Sequence, residues 1–244
     1  MMKIGLEIHG YLNTNEKLFC KCKAERVSEE ANKNICPICV GYPGAKPELP
    51  NKEAIKKTLQ IALMLNCKIN HEFLWQRKHY DWPDLPKGFQ TTISGSYSIP
   101  VAFNGEFLGI RIREVHLEED PARWNPDSGE VDYNRAGLPL IEIVTEPDFS
   151  KAEEVENWLR KLVLTLSYIK ALDKNAGIKA DVNVSSDGER VEIKNVNSIQ
   201  SIKMAIEYEF KRQKVEKVER KETRAWQELK GRTVKMREKE EAED

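Results

Sequence analysis

The stretch KIGLEIHGYLN (residues 3–13) alternates between apolar and other side chains, and this period of two predicts a β-strand. The apolar face of the strand is formed by Ile4, Leu6 and Ile8. Glu7 and His9 lie two residues apart, so both point to the opposite face. A pair of this kind most often faces solvent, and it indicates a site only if other strands place acids beside it.

Two further segments place an acid where the strand pattern makes it unusual. GLPLIEIVTEPD (residues 137–148) has the composition of a buried strand, and Glu142 lies within it between two isoleucines. An unpaired charge there would be destabilising by several kcal/mol, so Glu142 requires a cation. In IKADVNVS (residues 178–185), Asp181 shares a face with Lys179, opposite the apolar residues.

The stretch VHLEEDPARW (residues 115–124) carries three consecutive acids. Glu118 and Glu119 point to opposite faces of a regular strand, so they converge only where the strand ends or bulges. The apolar residues change phase between Ile112 and Val115, which predicts an irregularity in this strand. The simpler alternative is a solvated strand end.

The remaining pattern consists of helices and hairpins. Amphipathic helical spacing covers residues 51–66, 150–169 and 198–213. Ser150 and Glu153 have the spacing of a capping box, and hairpin turns are predicted at Asn104-Gly105 and Asp187-Gly188. Hairpins with helices between them predict an α+β fold, in which an antiparallel sheet carries helices on one face.

Four of the five cysteines form two close pairs, Cys20 with Cys22 and Cys36 with Cys39, with 13 residues between the pairs. This spacing suits a structural Cys₄ zinc site, because each pair offers two thiolates to one ion. In a reducing cytosol zinc is favoured over disulfides, and four unconnected buried thiols are the other alternative. Sulfur would close all four coordination positions, so the site would stabilise the fold. Cys67 is interpreted as a core residue.

The composition is that of a soluble globular protein, with 40% hydrophobic and 32% charged residues among 244. No apolar run approaches the ~20 residues that span a bilayer. The first residues lack the pattern of a signal peptide, so we expect a cytoplasmic protein with no membrane partner. A formal net charge of −1 gives no argument for nucleic acid. Any RNA contact is therefore expected from a local patch or from a partner subunit.

The acids on separate strands, together with one histidine, form a candidate metal site. Oxygen ligands in this number, with one imidazole, favour Mg²⁺ or Mn²⁺ over zinc. Such clusters usually hold phosphates through the metal. The residues alone thus indicate metal-dependent chemistry on a substrate that contains phosphate.

Long motifs along the chain resemble a single protein family. They are IGLEIHGYLNT (4–14), KLFCKC (17–22), CPICVGYPGAKP (36–47), RKHYDWPDLPKGFQ (77–90), VHLEEDPAR (115–123), VDYNRAGLPLIEIVTEPD (131–148), EIKNVNS (192–198) and MREKEEAED (236–244). From about Lys3 to its last residue, the chain is similar to the B subunits of tRNA-dependent amidotransferases, the GatB/GatE family. That family makes Gln-tRNA(Gln), and often Asn-tRNA(Asn), from mischarged tRNA.

The resemblance implies a catalytic domain similar in fold to glutamine synthetase, an antiparallel sheet carrying metals, with the zinc site in a small insertion at residues 18–42. It implies that a partner amidase, the A subunit, releases ammonia from glutamine, and that a small C subunit completes the assembly. The B subunit would bind ATP and Mg²⁺ and phosphorylate the side-chain carboxylate of Glu-tRNA(Gln) or Asp-tRNA(Asn). Ammonia would then displace the phosphate.

The resemblance also implies roles for individual residues. Magnesium ligands match at Glu7, His9, Glu118, Glu119, Glu142 and Asp181. Of these, Glu119, Glu142 and His9 would share one Mg²⁺ and the other three a second, with Glu118, Glu119 and Glu142 central to catalysis. The positions that match the lining of the family's ammonia channel are Lys78 and Lys87. Phosphate contacts are expected from Arg123, Arg135 and Lys179.

The family usually continues into a helical domain and a tail domain that grips tRNA. We expect residues 1–244 to form a cradle-like catalytic domain without these parts, so that a separate polypeptide would supply the missing tail. One alternative is a non-catalytic zinc-bearing adaptor, or a shortened paralogue, that docks the amidase. Another is a metal-dependent hydrolase acting on phosphates or amides. The buried acids weigh against the adaptor, because a docking module has no need of them.

Overall fold

The computed structural model describes residues 2–26, 28–173, 176–186 and 188–238. Its strands are β1 Lys3–Tyr11, β2 Lys68–Ile69, β3 Gln76–Lys78, β4 Gln90–Thr92, β5 Ala102–Phe107, β6 Ile110–Glu119, β7 Arg123–Trp124, β8 Val131–Asp132, β9 Pro139–Thr145, β10 Ile178–Ser185, β11 Val191–Val196, β12 Glu222–Gln227 and β13 Arg232–Glu238. Its helices are α1 Lys52–Met64, α2 Ala152–Tyr168 and α3 Ile199–Val215, with a short 3₁₀ turn at Glu228–Lys230.

One large sheet organises the described residues. Its strand order is β13-β12-β11-β10-β1-β9-β6-β4-β3, while β5 pairs with β6 and β2 pairs with β5. Neighbouring strands run antiparallel, except for the parallel pair β11 and β12. A separate ribbon consists of β7 and β8. Strand β1 lies between β10 and β9, so it borders two strands that carry predicted site residues.

The three helices pack on one face of this sheet. Ile4, Leu6 and Ile8 are buried there in the same core as Leu159 of α2 and Ile202 of α3. Full burial of each such side chain contributes about 1.5–3 kcal/mol, which is why the alternation fixes the orientation of the strand. The predicted α+β fold, an antiparallel sheet with helices on one face, is confirmed. Among the described residues, no helix combines the length and apolar character needed to cross a bilayer.

The predicted irregularity in β6 is also confirmed. The register between β6 and β9 shifts between Ile112 and Glu114, and it then runs regularly from Val115 to Glu119. A bulged residue reverses which face the following side chains occupy. Because the bulge lies upstream of Glu118 and Glu119, these two acids still point to opposite faces of the strand.

The predicted hairpin turn at Asn104-Gly105 is wrong. The turn between β5 and β6 is formed by Leu108 and Gly109, which have φ angles of 52° and 80°. Gly105 lies within β5 because the chain after α1 passes close to it: a Cβ there would lie 2.5 Å from the carbonyl oxygen of Leu65. The Asn-Gly pair therefore marks a close approach of two segments and not a turn.

Two other local predictions need comment. Helix α2 begins one residue later than the capping pair Ser150 and Glu153 requires, so Glu154 and not Glu153 is the capping acid. Its Oε2 accepts hydrogen bonds from the Ser150 amide and hydroxyl and from the Lys151 amide, at 3.0–3.2 Å. The hairpin of β10 and β11 is present, but Asp187 of its predicted turn lies outside the described residues.

Candidate functional site

The face of the sheet opposite the helices carries the predicted acids except Glu119, and we call it the acid face. The centre of the acid face is a cluster around Glu142. His9 lies directly across from Glu142 in the pairing of β1 with β9, and its Nε2 is 3.4 Å from Glu142 Oε1 and 3.8 Å from Glu118 Oε1. His116, which was not predicted from the sequence, contacts the other oxygen of Glu142 through Nδ1 at 2.6 Å. Three strands thus bring two imidazoles and two carboxylates together.

A second cluster lies beside the first, where β1 meets β10 and β11. Carboxylate oxygens of Glu7, Asp181 and Glu192 lie within 4.8 Å of one another. Glu192 was not predicted from the sequence, although its position between the core residues Val191 and Ile193 places it on the acid face. Lys194 reaches Asp181 at 2.6 Å, so an ammonium group compensates part of this negative charge.

The acid face carries more negative than positive charge. Burial, together with the nearby Glu142, raises the pKa of Glu118 to about 7. Burial also raises the pKa of Glu7, against the lowering effect of Lys194. Burial alone would lower the pKa of His9, but the hydrogen bond and charge of Glu142 raise it to about 9. Two acids thus resist ionisation, while the histidine holds its proton.

A divalent cation fits this donor set. The carboxylates of Glu7, Asp181 and Glu192 present hard oxygen ligands within 4.8 Å of one another, and such ligands are the ones that Mg²⁺ and Mn²⁺ prefer. Asn183 lies on the same face, donates from Nδ2 to Glu7 at 3.0 Å, and leaves its buried Oδ1 without a hydrogen-bond partner. A cation would supply the missing charge and a partner for such oxygens.

Glu119 is separated from this cluster. Its Oε1 accepts hydrogen bonds from the Lys87 ammonium and from the Thr91 amide, the latter at 3.0 Å. Within the described residues it makes no hydrogen bond or ion pair to His9 or Glu142. Five of the six predicted magnesium ligands therefore lie on the acid face, and the shared ion at Glu119 stays a prediction.

The two predicted channel lysines have different surroundings. Lys87 is largely buried on Glu119, and its ammonium lies 5.3 Å from the ring centre of Phe89 and 5.9 Å from that of Phe19. Lys78, at the end of the short strand β3, is exposed. Within the part of the chain that the structure describes, side chains contact the ammonium of Lys87 but not that of Lys78.

The three residues predicted to contact phosphate also have different surroundings. Arg135 lies 3.1 Å from Asp120, which also accepts a 2.6 Å hydrogen bond from the Tyr11 hydroxyl. Burial lowers the pKa of Lys179, while the negative charge of nearby Asp120 acts in the opposite direction. Arg123 is exposed on the separate ribbon of β7 and β8. Asp120 therefore gathers two of the three cations at one end of the acid face.

The four predicted zinc ligands come together. The sulfur atoms of Cys20, Cys22, Cys36 and Cys39 lie within 4.8 Å of one another, and all five cysteines are free of disulfides. Hydrogen bonding from Cys20 lowers the pKa of Cys39 to about 5, and the Cys36 amide and the Lys17 ammonium act in the same direction. Lys17 is buried and lies 3.5 Å from the Cys39 sulfur. The surroundings thus stabilise the Cys39 thiolate, the form that binds zinc, whereas the hydrogen bond with Cys39 raises the pKa of Cys20 and burial raises the pKa of Cys22.

Comparison with known proteins identifies the family. The GatB/GatE catalytic domain matches residues 2–244. The chain is 51% identical over 250 residues to the B subunit of the aspartyl/glutamyl-tRNA(Asn/Gln) amidotransferase of Methanopyrus kandleri, covering 100% of this chain and 53% of that protein. It is 52% identical over 249 residues to the corresponding protein of Methanothermobacter thermautotrophicus, covering 100% and 54%. The chain spans about half the length of these curated relatives. With a match over nearly all its residues, the chain belongs to the GatB/GatE catalytic domain family.

Proposed function

We propose that this chain is the kinase and transamidase part of a tRNA-dependent amidotransferase, a carbon–nitrogen ligase with glutamine as the nitrogen donor. The observation that supports this proposal is the acid face, with its surplus of carboxylates on adjacent strands. The substrate would be the misacylated end of Glu-tRNA(Gln), Asp-tRNA(Asn) or both. ATP would phosphorylate its side-chain carboxylate, and ammonia would replace the phosphate.

The chemistry explains why the site is acidic. A carboxylate is a poor electrophile because its leaving group would be oxide, and phosphorylation supplies a better one. Bound Mg²⁺ would neutralise charge on the γ-phosphate of ATP, which otherwise repels the acceptor carboxylate. In our proposal Glu7, His9, Glu118, Glu142 and Asp181 hold these ions, and Glu192 joins the set. His116 would orient Glu142, since it holds one of the two Glu142 oxygens at 2.6 Å.

The cations around Asp120 suit the phosphate end of the substrate. Lys179 lies on the acid face opposite His9, Arg135 lies beside that face on Asp120, and both could contact phosphate oxygens of ATP or of the tRNA end. Arg123 belongs to this proposal only if the ribbon of β7 and β8 moves toward the nucleotide. The acyl phosphate would need protection from water, because hydrolysis competes with amidation.

Ammonia delivery is assigned in this proposal to Lys87 and Glu119. The two side chains form a buried ion pair at the end of β6, adjacent to the acid-bearing part of that strand. Lys78 would contribute farther out, where the chain is exposed. A pair of opposite charges that closes a passage can admit a neutral molecule such as ammonia while excluding ions.

The remaining parts of the proposal concern assembly. The four cysteines would hold one structural zinc ion in the insertion at residues 18–42, and residues 1–244 would form a cytoplasmic catalytic domain. Its partners would be an amidase A subunit, a small C subunit and misacylated tRNA. The chain covers about half of its relatives, so grip on tRNA is assigned to a further segment or polypeptide.

The test is amidation by the purified complex with the amidase partner. With ATP, Mg²⁺ and glutamine, the complex should convert Glu-tRNA(Gln) or Asp-tRNA(Asn) to its amidated form, and analysis of the released amino acid would identify the acceptor. Glutaminase activity without amidation would favour a zinc-bearing adaptor. Release of phosphate from ATP without any acceptor requirement would favour a metal-dependent hydrolase.

A further inference from the structure

The cysteine cluster is in direct contact with the Lys87 loop, which comprises residues 79–89 between β3 and β4. Residues 36–42 form a tight knuckle, in which the amides of Val40, Gly41 and Tyr42 donate to the carbonyls of Cys36, Ile38 and Pro37 at 3.2, 3.1 and 2.8 Å. Gly41 lies in this knuckle two residues beyond the predicted zinc ligand Cys39. Cys39 lines the same narrow pocket as Pro86, Lys87 and Glu119.

Gly41 is the point of contact. It has a φ angle of 69°, and a Cβ placed on it would lie 2.5 Å from the carbonyl oxygen of Pro86 and 2.8 Å from Cγ of Lys87. No real Cβ approaches backbone that closely, so a side chain at this position requires the loop to move. The absence of a side chain at Gly41 is therefore what allows the knuckle to press against the base of Lys87.

We infer that the cysteine knuckle positions Lys87 on Glu119, with Gly41 as the positioning residue. Lys87 is held at two points, at its backbone and at its ammonium. Gly41 fixes the backbone and the first carbons of Lys87, while Glu119 is itself fixed by the Thr91 amide and holds the ammonium. The zinc site of the proposed function would then be a rigid support for ammonia delivery in addition to stabilising the fold.

The inference rests on the proposed function for its consequence in catalysis, but not for its geometry. The chain offers a matched control in Gly44, which has a φ angle of 86° and no atom within 4 Å of an added Cβ. Gly41→Ala and Gly44→Ala therefore carry a similar backbone penalty in the same region of the chain. Only the first of them pushes on the Lys87 loop.

The first experiment measures the position of Lys87 without any activity. The purified protein is treated briefly with acetic anhydride, and the labelling of Lys87 is quantified by mass spectrometry relative to the exposed Lys78. Gly41→Ala should raise the labelling of Lys87 at least about threefold, because its ammonium is less often held by Glu119, while Gly44→Ala should not. Equal labelling in the two variants would overturn the inference.

The second experiment measures amidation by the complex with the amidase partner. Gly41→Ala should lower glutamine-dependent amidation about tenfold but ammonium-dependent amidation less than about twofold, at unchanged zinc content. Equal losses with both nitrogen sources would overturn the positioning role. If the wild-type complex performs no amidation, the proposed function fails, and the labelling result still decides the geometry. If Gly41→Ala does not fold, metal chelation of the zinc-loaded wild-type protein replaces it, and unchanged Lys87 labelling after measured loss of the ion again overturns the inference.

Discussion

Two clusters of buried charge in this molecule differ in how their charges balance. Between α3 and strands β12 and β13, Arg212 lies 2.6 Å from Glu209 and 2.7 Å from Glu222, and Arg224 lies 3.1 Å from Glu222. Two acids there meet two guanidinium groups. On the strands of the acid face, the described residues place six carboxylates against two lysines and two histidines: Glu7, Glu114, Glu118, Glu142, Asp181 and Glu192 against Lys179, Lys194, His9 and His116.

The difference shows that buried acids alone do not indicate a functional site. Glu209 is fully buried, yet Gln213 and Thr233 also donate to it at 3.0 Å, so its oxygens are satisfied within the fold. The acid face instead leaves Glu118 with a pKa raised to about 7. We conclude that the surplus of acid over cation, and not burial, is the feature that points to a bound metal.

The largest effect on stability is expected in the balanced cluster. Arg212→Met leaves Glu209 with Arg224 at 3.7 Å as its remaining cation. Removing one partner of a buried ion pair typically lowers the free energy of unfolding by about 3–5 kcal/mol, and we expect that range here from denaturant titration. The control is Arg113→Met, which breaks an exposed pair with Glu146 and should change stability by less than about 1 kcal/mol. Equal losses of unfolding free energy in the two variants would contradict the claim that Arg212 balances buried carboxylates.

The largest effect on activity is expected in the cluster with surplus acid. Glu142→Gln should lower amidation roughly 10²-fold, the effect typical of losing a preorganised electrostatic contact. Its stability should change less than that of Arg212→Met, because the partners left behind, His9 and His116, can release their protons. Arg212→Met instead leaves the fully buried carboxylate of Glu209 short of a cation. Glutaminase activity and zinc content should be unchanged.

Glu146→Gln is the matched control for this variant, since it makes the same substitution four residues along at a less buried site. It should leave amidation near the wild-type level. Near-wild-type amidation by Glu142→Gln would mean that these acids do not hold the metal.

Much of the acid face was predictable from sequence because side chains alternate along a strand. Glu7 and His9 on β1, and Asp181 on β10, lie opposite the buried apolar residues as expected. Glu142 was predicted from its apolar neighbours alone. These predictions use only local spacing and the unfavourable free energy of an unpaired charge.

The contacts between segments were not predictable in the same way. Glu192 joins Glu7 and Asp181 because the register of β11 against β10 places it opposite Asn183, and no local pattern specifies that register. Asp120 was read as part of an acidic run, but Tyr11 and Arg135 engage it from distant segments. Alternation along a strand predicts which face of the sheet a side chain occupies. The register between strands, which sequence spacing does not give, determines which residues lie beside it.

The cysteine cluster resembles the acid face, since its four sulfur atoms would also bind a cation. The effect of disrupting it should be smaller than that of Arg212→Met or Glu142→Gln. Cys36→Ser should lower the bound zinc and the melting temperature together. A loss of ~2 kcal/mol corresponds to roughly 4–8 °C in a chain of this size. Cys67→Ser is the control: this buried thiol lies outside the cluster, so the variant should keep full zinc. Full zinc occupancy and unchanged melting in Cys36→Ser would rule out a Cys₄ ion.

A smaller effect on amidation should distinguish Lys87 from Lys78. Lys87→Ala should lower glutamine-dependent amidation about tenfold, equivalent to ~1.4 kcal/mol, and should affect ammonium-dependent amidation less. Lys78→Ala should have a weaker effect on both, because Lys78 is exposed whereas Lys87 is buried against Glu119. Equal losses with the two nitrogen sources in Lys87→Ala would indicate a general structural role. Both rates are measured on the complex with the amidase partner.

The smallest effect is a pH dependence of stability that belongs to the acid face. Burial and Glu142 raise the pKa of Glu118 from its ordinary value of 4.5 to about 7. Between these values the folded state binds a proton more strongly than the unfolded state, so the free energy of unfolding falls as the pH rises. Glutamine at this position has no such proton. In EDTA, the stability of Glu118→Gln relative to wild type should therefore increase by on the order of 1 kcal/mol from pH 4.5 to pH 7.

Added Mg²⁺ should reduce this difference, because a bound cation stabilises the ionised carboxylate and returns the wild-type pKa toward its ordinary value. The control in the balanced cluster is Glu222→Gln. The Glu222 carboxylate already has Arg212 and Arg224 as partners, so the stability difference for this variant should not respond to Mg²⁺. A pH-independent difference for Glu118→Gln, or an equal Mg²⁺ response in both variants, would remove the distinction between the two clusters. A response confined to Glu118 would show that the acid face is incomplete without a cation.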